Sequence, residues 1–411
     1  MKLNVKKTFL LGLGTFSIFL VWPIYNIYVP IFLRDFLDSQ FQINAIMTLD
    51  NILAVFMIPF IASLSDRTQT RFGKRMPFLM IGMPLSAVAL ILLPNYTSFL
   101  NIMFIIFILN LSMAIFRAPT VALMPDVTPV ALRSKANGII NFMGGFGTFL
   151  VLMGGSFLYR MNRNLPFVLT AALIFLSLLL LVKFIKEPND AEAREEVSVR
   201  LFKSIQRIKK NKDSTTAYIL FAIFFWFIGY QGLEATFSNY CVHFLGLDVS
   251  DASFILSFFA LSFIISAIPA GYIGSYLGKK RTILIGLVGD VVVFALLGTL
   301  GTIFQFNQVV MMGMMFLGGF FWALTNINSY PMLIERASEG NIGTYTGFYF
   351  FSASLAAIVG PLIIGTFVDL ISFSLTFPIT AISYFIAFLL ILKTKDLLVK
   401  SNNQSTDFEV S

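Results

Sequence analysis

Three carboxylates and one guanidinium stand within stretches of this sequence that are otherwise apolar: Asp50, Glu234, Asp290 and Arg117. A charge at the centre of a membrane costs at least ~2.5–3.5 kcal/mol on insertion scales. Each of the four therefore needs a partner or a function, and Asp290 is expected only to pack or to face a water pocket. Asp50 lies roughly 12 Å into its stretch at 1.5 Å per residue, a depth that suits proton uptake from outside. Glu234 suits binding of a substrate or a proton. The alternatives are that Asp50 is a packing group hydrogen-bonded by Asn51 and that Glu234 belongs to an outer gate.

Aromatic rings and amides recur near these charges. Sugars are bound by flat rings on their C–H faces and by amides or carboxylates on their hydroxyls. Two groups of residues combine these types. One group lies in the first and seventh apolar stretches and the other in the tenth. As an alternative to substrate binding, the aromatic rings of these groups only pack helices together. The substrate-binding candidates are Tyr25, Asn26, Asp50, Tyr230, Glu234, Trp322, Asn326 and Tyr330.

Arg117 requires an anion because a buried guanidinium without one is costly. Asp66 is the first candidate partner and Asp126 the second, which predicts a gate near one end of the helices. The alternative is a static fold contact. The polar loop Ser65–Arg75 adds further gating candidates, although its arginines could serve only to orient the chain in the membrane. The complete gating set is Asp66, Arg67, Arg71, Gly73, Arg75, Arg117 and Asp126.

The composition requires a lipid environment for the elements that hold these residues. Of the 411 residues, 57% are hydrophobic and 12% are charged, and the mean hydropathy is +0.84. A soluble protein has about 25% charged residues. Twelve apolar stretches have the length of membrane-spanning helices: 8–33, 42–64, 76–95, 98–124, 137–159, 166–186, 215–243, 251–277, 282–301, 306–333, 342–368 and 372–393.

The positions of the cationic residues predict the orientation. Of the 29 Lys and Arg residues, 25 fall on the side that holds both termini, and only Arg34, Arg160 and Arg163 fall on the other. Positive charge accumulates on the cytoplasmic side, so both termini are expected there, in the plasma membrane. The net charge of +8 is then a topology feature and indicates no nucleic-acid surface.

The chain reads as two copies of one six-helix unit. Gly73 and Gly278 are 205 residues apart, as are Gly138 and Gly343, and Pro125 precedes Pro331 by 206. Parallel halves with a site at their interface are a known transporter plan. We therefore expect an all-α membrane protein with bundles at 1–186 and 215–393, a linker at 187–214 with a basic amphipathic helix, and a tail at 394–411.

The loop Ser65–Arg75 resembles the loop between spans two and three of the major facilitator superfamily, with Ala62 in place of a leading glycine. Its longer form, Asp66-Arg-Thr-Gln-Thr-Arg-Phe-Gly-Lys-Arg75, is similar to that of the glycoside–pentoside–hexuronide cation symporters, closest to the branch with sucrose/proton symporters. Ala54 and Ile58 stand where sodium-coupled melibiose permeases carry aspartates. The resemblance thus implies sugar transport coupled to protons, without a sodium site of that type.

These observations predict a secondary transporter that moves a sugar or glycoside by alternating access, without an enzymatic activity. The chain has one His and one Cys and no phosphate-binding loop, so neither a metal, nor a cofactor, nor ATP is expected. The expected partners are the small-molecule substrate and lipids, with the chain as a monomer. The alternatives are a polyspecific exporter of apolar or amphipathic compounds and a non-transporting membrane sensor or scaffold.

Overall fold

The computed structural model describes residues 3–129, 132–187, 215–303, 307–337 and 342–395. These residues form twelve helices that are long and apolar enough to cross a membrane. Their bounds are α1 Val5–Arg34, α2 Gln40–Met47 with Leu49–Arg67, α3 Met76–Leu92, α4 Phe99–Val127, α5 Arg133–Met161, α6 Leu165–Phe184, α7 Thr215–Asn239, α8 Val249–Leu277, α9 Lys279–Ile303, α10 Gln308–Ile334, α11 Ile342–Leu370 and α12 Thr376–Leu392. The amphipathic helix predicted in the linker lies outside the described residues.

Polar caps mark where several helices begin. The side chains of Asn4, Ser39 and Ser98 each accept a backbone N–H three residues further on, at 3.0, 3.2 and 3.2 Å. Such caps satisfy amide donors that the first helical turn leaves free. Helix α2 differs from the single predicted span because it is broken at Thr48.

The two halves repeat one packing pattern. In the N-terminal bundle, α1 packs on α5 and α6, and α3 packs on α4 and α6; in the C-terminal bundle, α7 packs on α11 and α12, and α9 packs on α10 and α12. The bundles meet where α2 contacts α11, α5 contacts α8 and α1 contacts α7. This arrangement confirms the predicted fold class of two pseudo-symmetric six-helix bundles.

The two basic loops occupy equivalent places in the bundles. Gly73 and Gly278 both have positive φ, +103° and +86°, a region that favours glycine because it has no Cβ. The residue after each glycine pairs with an acid at the end of the fourth helix of its bundle, Lys74 with Asp126 and Lys279 with Glu335. We call the end of the molecule with these loops the basic face, and the end where α2 begins the far face.

The bundles diverge toward the basic face. Helices α5 and α8 meet closely at Gly145 and Ile264. One and two turns nearer the basic face, Phe142, Ile268 and Tyr272 are 55%, 72% and 75% exposed. Helix α11 also packs more on the first segment of α2, at the far face, than on the second segment, which runs to the basic face. The space between the bundles is therefore wider at the basic face.

The carboxylate of Glu187, just after α6, caps the N-terminus of α3. It accepts the backbone N–H groups of Lys74, Arg75 and Met76 at 2.8–3.1 Å. Three charge-assisted bonds at a helix N-terminus are strong because the helix dipole adds to them. This bond set fixes the end of the basic loop against α6.

Replacement Glu187→Ala is expected to lower the free energy of unfolding by about 1–2 kcal/mol, because it leaves three amide donors unpaired. Thermal unfolding of the purified protein measures the change. Asp248→Ala is the matched control, since that acid begins α8 without capping it. Equal thermal midpoints for the two variants would contradict the capping role.

Candidate functional site

A cavity of about 270 Å³ lies between the bundles at mid-depth. Helices α1, α2, α4 and α5 line it from one side, and α7 and α11 from the other. Its lining residues are Phe19, Trp22, Pro23, Asn26, Met47, Asp50, Asn51, Arg117, Thr148, Tyr230, Gln231, Glu234, Ala235, Ala357 and Pro361.

Both carboxylates of the cavity are bonded to an asparagine. The Asn51 side-chain amide donates to Asp50 Oδ1 at 2.7 Å within the N-terminal bundle. The Asn26 amide donates to Glu234 Oε1 at 2.9 Å, from α1 of one bundle to α7 of the other. The second bond changes length whenever these helices separate, so Glu234 is placed to respond to the relative position of the bundles.

Arg117 supplies the positive charge of the cavity. Its guanidinium lies over the Trp22 ring, 5.8 Å from the ring centre, and it interacts electrostatically with Asp50. Two carboxylates and one guanidinium leave one negative charge in excess when all three are ionised. The site therefore suits a proton, a solute with hydroxyl or amide donors, or a cationic group.

Aromatic rings from both bundles face the cavity. Trp22 and Phe19 belong to α1, and Tyr230 belongs to α7. Trp322 stacks on Tyr230 from behind, with ring centres 4.5 Å apart and planes at 1°. A ring held in this way is a rigid surface against which an apolar face of a solute can pack.

The structure brings five of the predicted residues together around the cavity: Asn26, Asp50, Tyr230, Glu234 and Arg117. Four other predicted substrate contacts lie elsewhere. Tyr25 is fully buried and accepts a bond from Asn110 at 3.3 Å. Trp322 is covered by Tyr230, Asn326 is not among the lining residues, and the Tyr330 hydroxyl is bonded to Thr346 at 2.9 Å.

The predicted pairing of Arg117 with Asp66 or Asp126 is wrong. Asp66 pairs with Arg75, whose guanidinium also lies 2.9 Å from Asp126 and 2.9 Å from Ser65 Oγ. The four residues belong to α2, α4 and the loop between α2 and α3, all within the N-terminal bundle. Arg75 forms these ion pairs because it lies at the same membrane depth as the two acids, whereas Arg117 lies more than two helical turns deeper.

Two further loop arginines occupy the surface of the basic face. The Arg71 guanidinium lies 4.7 Å from the Phe72 ring centre, and Arg67 ends α2. Together with Gly73, these residues shape the loop on the N-terminal bundle. They do not reach the cavity.

Several residues of the site were not predicted. Gln231 neighbours a predicted residue in sequence, and it could have been found as an amide one position from a buried ring. The bond from Asn51 to Asp50 was predicted as the alternative to a role in proton uptake, and the structure contains that bond. Trp22, Phe19 and Thr148 carry no such sequence signal, because the same residue types are common on lipid-facing and packing surfaces. Only the helix rotation in the folded bundle shows that they face the cavity.

A helical protein with twelve membrane-spanning helices in two repeated bundles, and a polar cavity at their interface, has the architecture of a secondary transporter. The family model of the Major Facilitator Superfamily matches residues 11–356 and 219–409. The chain belongs to this superfamily. It is a multi-pass membrane protein of a transporter family, and a small-molecule substrate follows from that membership.

Solved structures support the fold. The nucleoside transporter NupG aligns with a TM-score of 0.74 at 18% identity, covering 96% of this chain and all of that chain (100%). A bacterial homologue of the human lysosomal transporter Spinster, in an inward-facing and unoccupied conformation, aligns with a TM-score of 0.70 at 14% identity, covering 95% of each chain.

A curated relative is Multidrug resistance protein 2 of Bacillus subtilis (strain 168). It is 25% identical over 179 residues, 43% of this chain and 45% of the relative. The chain therefore matches less than half the length of this curated relative.

Arg117→Ala is expected to lower thermal stability, by about 1–3 kcal/mol in unfolding free energy, because it leaves Asp50 without the nearby cation. Adding Asp50→Asn to that variant should restore at least half of the loss, since it removes one of the two uncompensated negative charges. Thermal unfolding of the single and double variants measures both effects. A double variant no more stable than Arg117→Ala would show that the two charges do not interact.

Proposed function

We propose that this chain is a proton-coupled symporter of a sugar or glycoside that works by alternating access. The observation that supports it most is the composition of one cavity between two bundles. That cavity holds two asparagine-bonded carboxylates, one guanidinium, further amides and rigid aromatic rings.

Each group suits one part of a sugar. Asn26, Asn51 and Gln231 offer amide donors and acceptors for hydroxyls. Tyr230 and Trp22 offer flat faces for the C–H surface of a pyranose or furanose ring. Because the substrate hydroxyls can replace Asn26 as the partner of Glu234, solute binding alters a bond that joins the bundles.

The proton is the coupling ion that this site fits. A proton requires a single carboxylate, which Asp50 or Glu234 supplies. The positions at which the sodium-coupled melibiose permeases carry their paired aspartates hold Ala54 and Ile58 in this chain. Ala54 and Ile58, one and two turns after Asp50, add no acid on that side of α2.

We further propose that the basic face is cytoplasmic, that the membrane is the plasma membrane and that the chain works as a monomer. The distribution of Lys and Arg supports this orientation. The wider opening at the basic face then corresponds to an inward-facing state. Similarity of the basic loop to the sucrose/proton symporter branch supports the substrate class.

The second candidate is an exporter of amphipathic compounds. Two observations favour it: the partial match to Multidrug resistance protein 2 and the excess negative charge beside aromatic rings, which would attract a lipophilic cation. A panel of sugars, glycosides and hydrophobic cations separates the candidates by thermal stabilisation of the purified protein. Stabilisation by sugars alone supports the symporter, whereas stabilisation by hydrophobic cations alone supports the exporter. No stabilisation by any compound favours a non-transporting sensor or scaffold.

Asp50→Asn is expected to abolish uphill solute uptake in proteoliposomes with an imposed pH gradient, while leaving counterflow exchange within about twofold of wild type. Asparagine keeps the shape of the side chain but cannot bind and release the coupling proton. Asp38→Asn, an exposed acid after α1, is the matched control and should retain both activities. Uphill uptake that persists in Asp50→Asn would remove Asp50 from coupling.

A further inference from the structure

The first segment of α2, Gln40–Met47, is held by the opposite bundle at the far face. The Asp369 carboxylate, at the end of α11, accepts bonds from Ser39 Oγ at 2.5 Å, Gln40 N at 2.6 Å and Phe41 N at 3.0 Å. An acid from the C-terminal bundle thus caps the N-terminus of a helix of the N-terminal bundle. Such bonds are charge-assisted and add to the favourable interaction with the helix dipole.

A ladder of buried amides extends this contact toward the cavity. The Gln40 amide donates to Asn44 Oδ1 at 2.8 Å, and Asn44 donates to Thr236 Oγ1 at 2.9 Å and to the Pro361 carbonyl at 2.7 Å. Asn239 of α7 donates to Gln40 Oε1 at 2.9 Å. Gln40, Asn44, Thr236 and Asn239 are buried. The ladder closes the far end of the cavity, because Pro361 and Met47, which ends the segment, are among its lining residues.

The second segment of α2, Leu49–Arg67, belongs to the N-terminal bundle. It packs on α4, and the basic-face ion pair of Asp66 with Arg75 fixes its other end. The two segments meet at Thr48, where the helix is interrupted and the hydroxyl bonds to the Ala45 carbonyl at 2.8 Å. Asp50 and Asn51 follow this break by two and three residues.

From this placement we infer that Asp369 is a positioning residue for Asp50. The inference rests on the proposed function, in which Asp50 carries the coupling proton. While Asp369 caps α2, the Gln40–Met47 segment stays on the C-terminal bundle, and the break at Thr48 holds Asp50 beside Arg117 and the cavity. Release of the cap lets the segment follow its own bundle, which opens the far face and moves Asp50 at the same time. The break at Thr48 thereby links the opening of the far face to the surroundings of Asp50.

The opening is tested by electron–electron distance measurements on spin labels at the far face. The labels replace Leu100 at the start of α4 and Val309 at the start of α10, which are 80% and 69% exposed, with Cys241→Ser to remove the native thiol. Asp369→Asn, which weakens the cap, should raise the ratio of far-face-open to closed molecules by about tenfold. Ser39→Ala removes one of the three donors to Asp369, together with the bond that Ser39 accepts from Gln42 N, and should give a smaller shift in the same direction.

Asp248→Asn is the matched control, because this exposed acid at the far face begins α8 without capping it. It should reproduce the wild-type distance distribution. A distribution for Asp369→Asn that equals this control would overturn the inference.

The link to Asp50 is tested by a double-mutant cycle on the same distances. If Asp369 positions Asp50, the shifts from Asp369→Asn and Asp50→Asn are non-additive in the double variant. Additive shifts would mean that Asp369 only closes the far face, and they would overturn the positioning role. The measurement uses no solute, so its outcome is independent of the substrate, and the inference can fail while sugar uptake succeeds or hold while sugar uptake fails.

Discussion

The cost of an unbonded charge in an apolar medium determines where the polar groups of this protein lie. Charged groups inside a membrane must be paired, hydrogen-bonded or exposed to a water-filled space. The cavity meets this requirement for Asp50 and Glu234 with one asparagine each, and for Arg117 with an aromatic face and a nearby acid. The basic loop meets it for Arg75 with two acids and a hydroxyl. The charged groups named above are therefore concentrated at the two places where a transporter needs them, the cavity and the helix ends. Asp290 of α9 is the exception among the described residues, because it is buried outside both places and neither of its carboxylate oxygens has a hydrogen-bond partner.

The same constraint assigns different tasks to the two faces. At the basic face, the ion pairs of Arg75 and the cap by Glu187 bind elements within the N-terminal bundle, so they make that bundle rigid. At the far face, hydrogen bonds join the bundles, from Asp369 to the start of α2 and from Arg160 to Ser250 at 3.2 Å. A rigid bundle that is joined to its partner at one end can rock about the cavity. Helix α2 connects the two regions, since its first segment is attached to one bundle and its second to the other.

The fold was predictable because its constraints are strong along the sequence. Twelve apolar stretches, the one-sided distribution of Lys and Arg and a repeat of about 205 residues leave few alternatives. The cavity acids were predictable for the same reason, since a carboxylate in an apolar stretch is rare. The direction in which a side chain points from its helix was not predictable. Asn26 reaches the cavity, whereas the adjacent Tyr25 is buried against Asn110. A helix turns by about 100° per residue, so neighbours in sequence point in different directions.

Partner choice was the other limit of sequence reasoning. Asp66 and Asp126 each require a cationic partner, and the sequence offers both Arg75 and Arg117. Arg75 is the partner because it lies at the same membrane depth as the two acids, which only the folded structure shows. The interruption of α2 at Thr48 has no proline or glycine to mark it. It arises because contacts with two different bundles act on the two ends of one helix, which is a tertiary effect.

The central claim is that one cavity between the bundles moves a solute and a proton together. Proton movement driven by a solute gradient alone tests it most directly, in proteoliposomes with equal pH on both sides and a pH-sensitive dye trapped inside. Addition of the sugar that stabilises the protein should acidify the lumen in proportion to solute entry, and Asp50→Asn should abolish the acidification. Solute entry without any change of luminal pH in the wild-type protein would contradict the account.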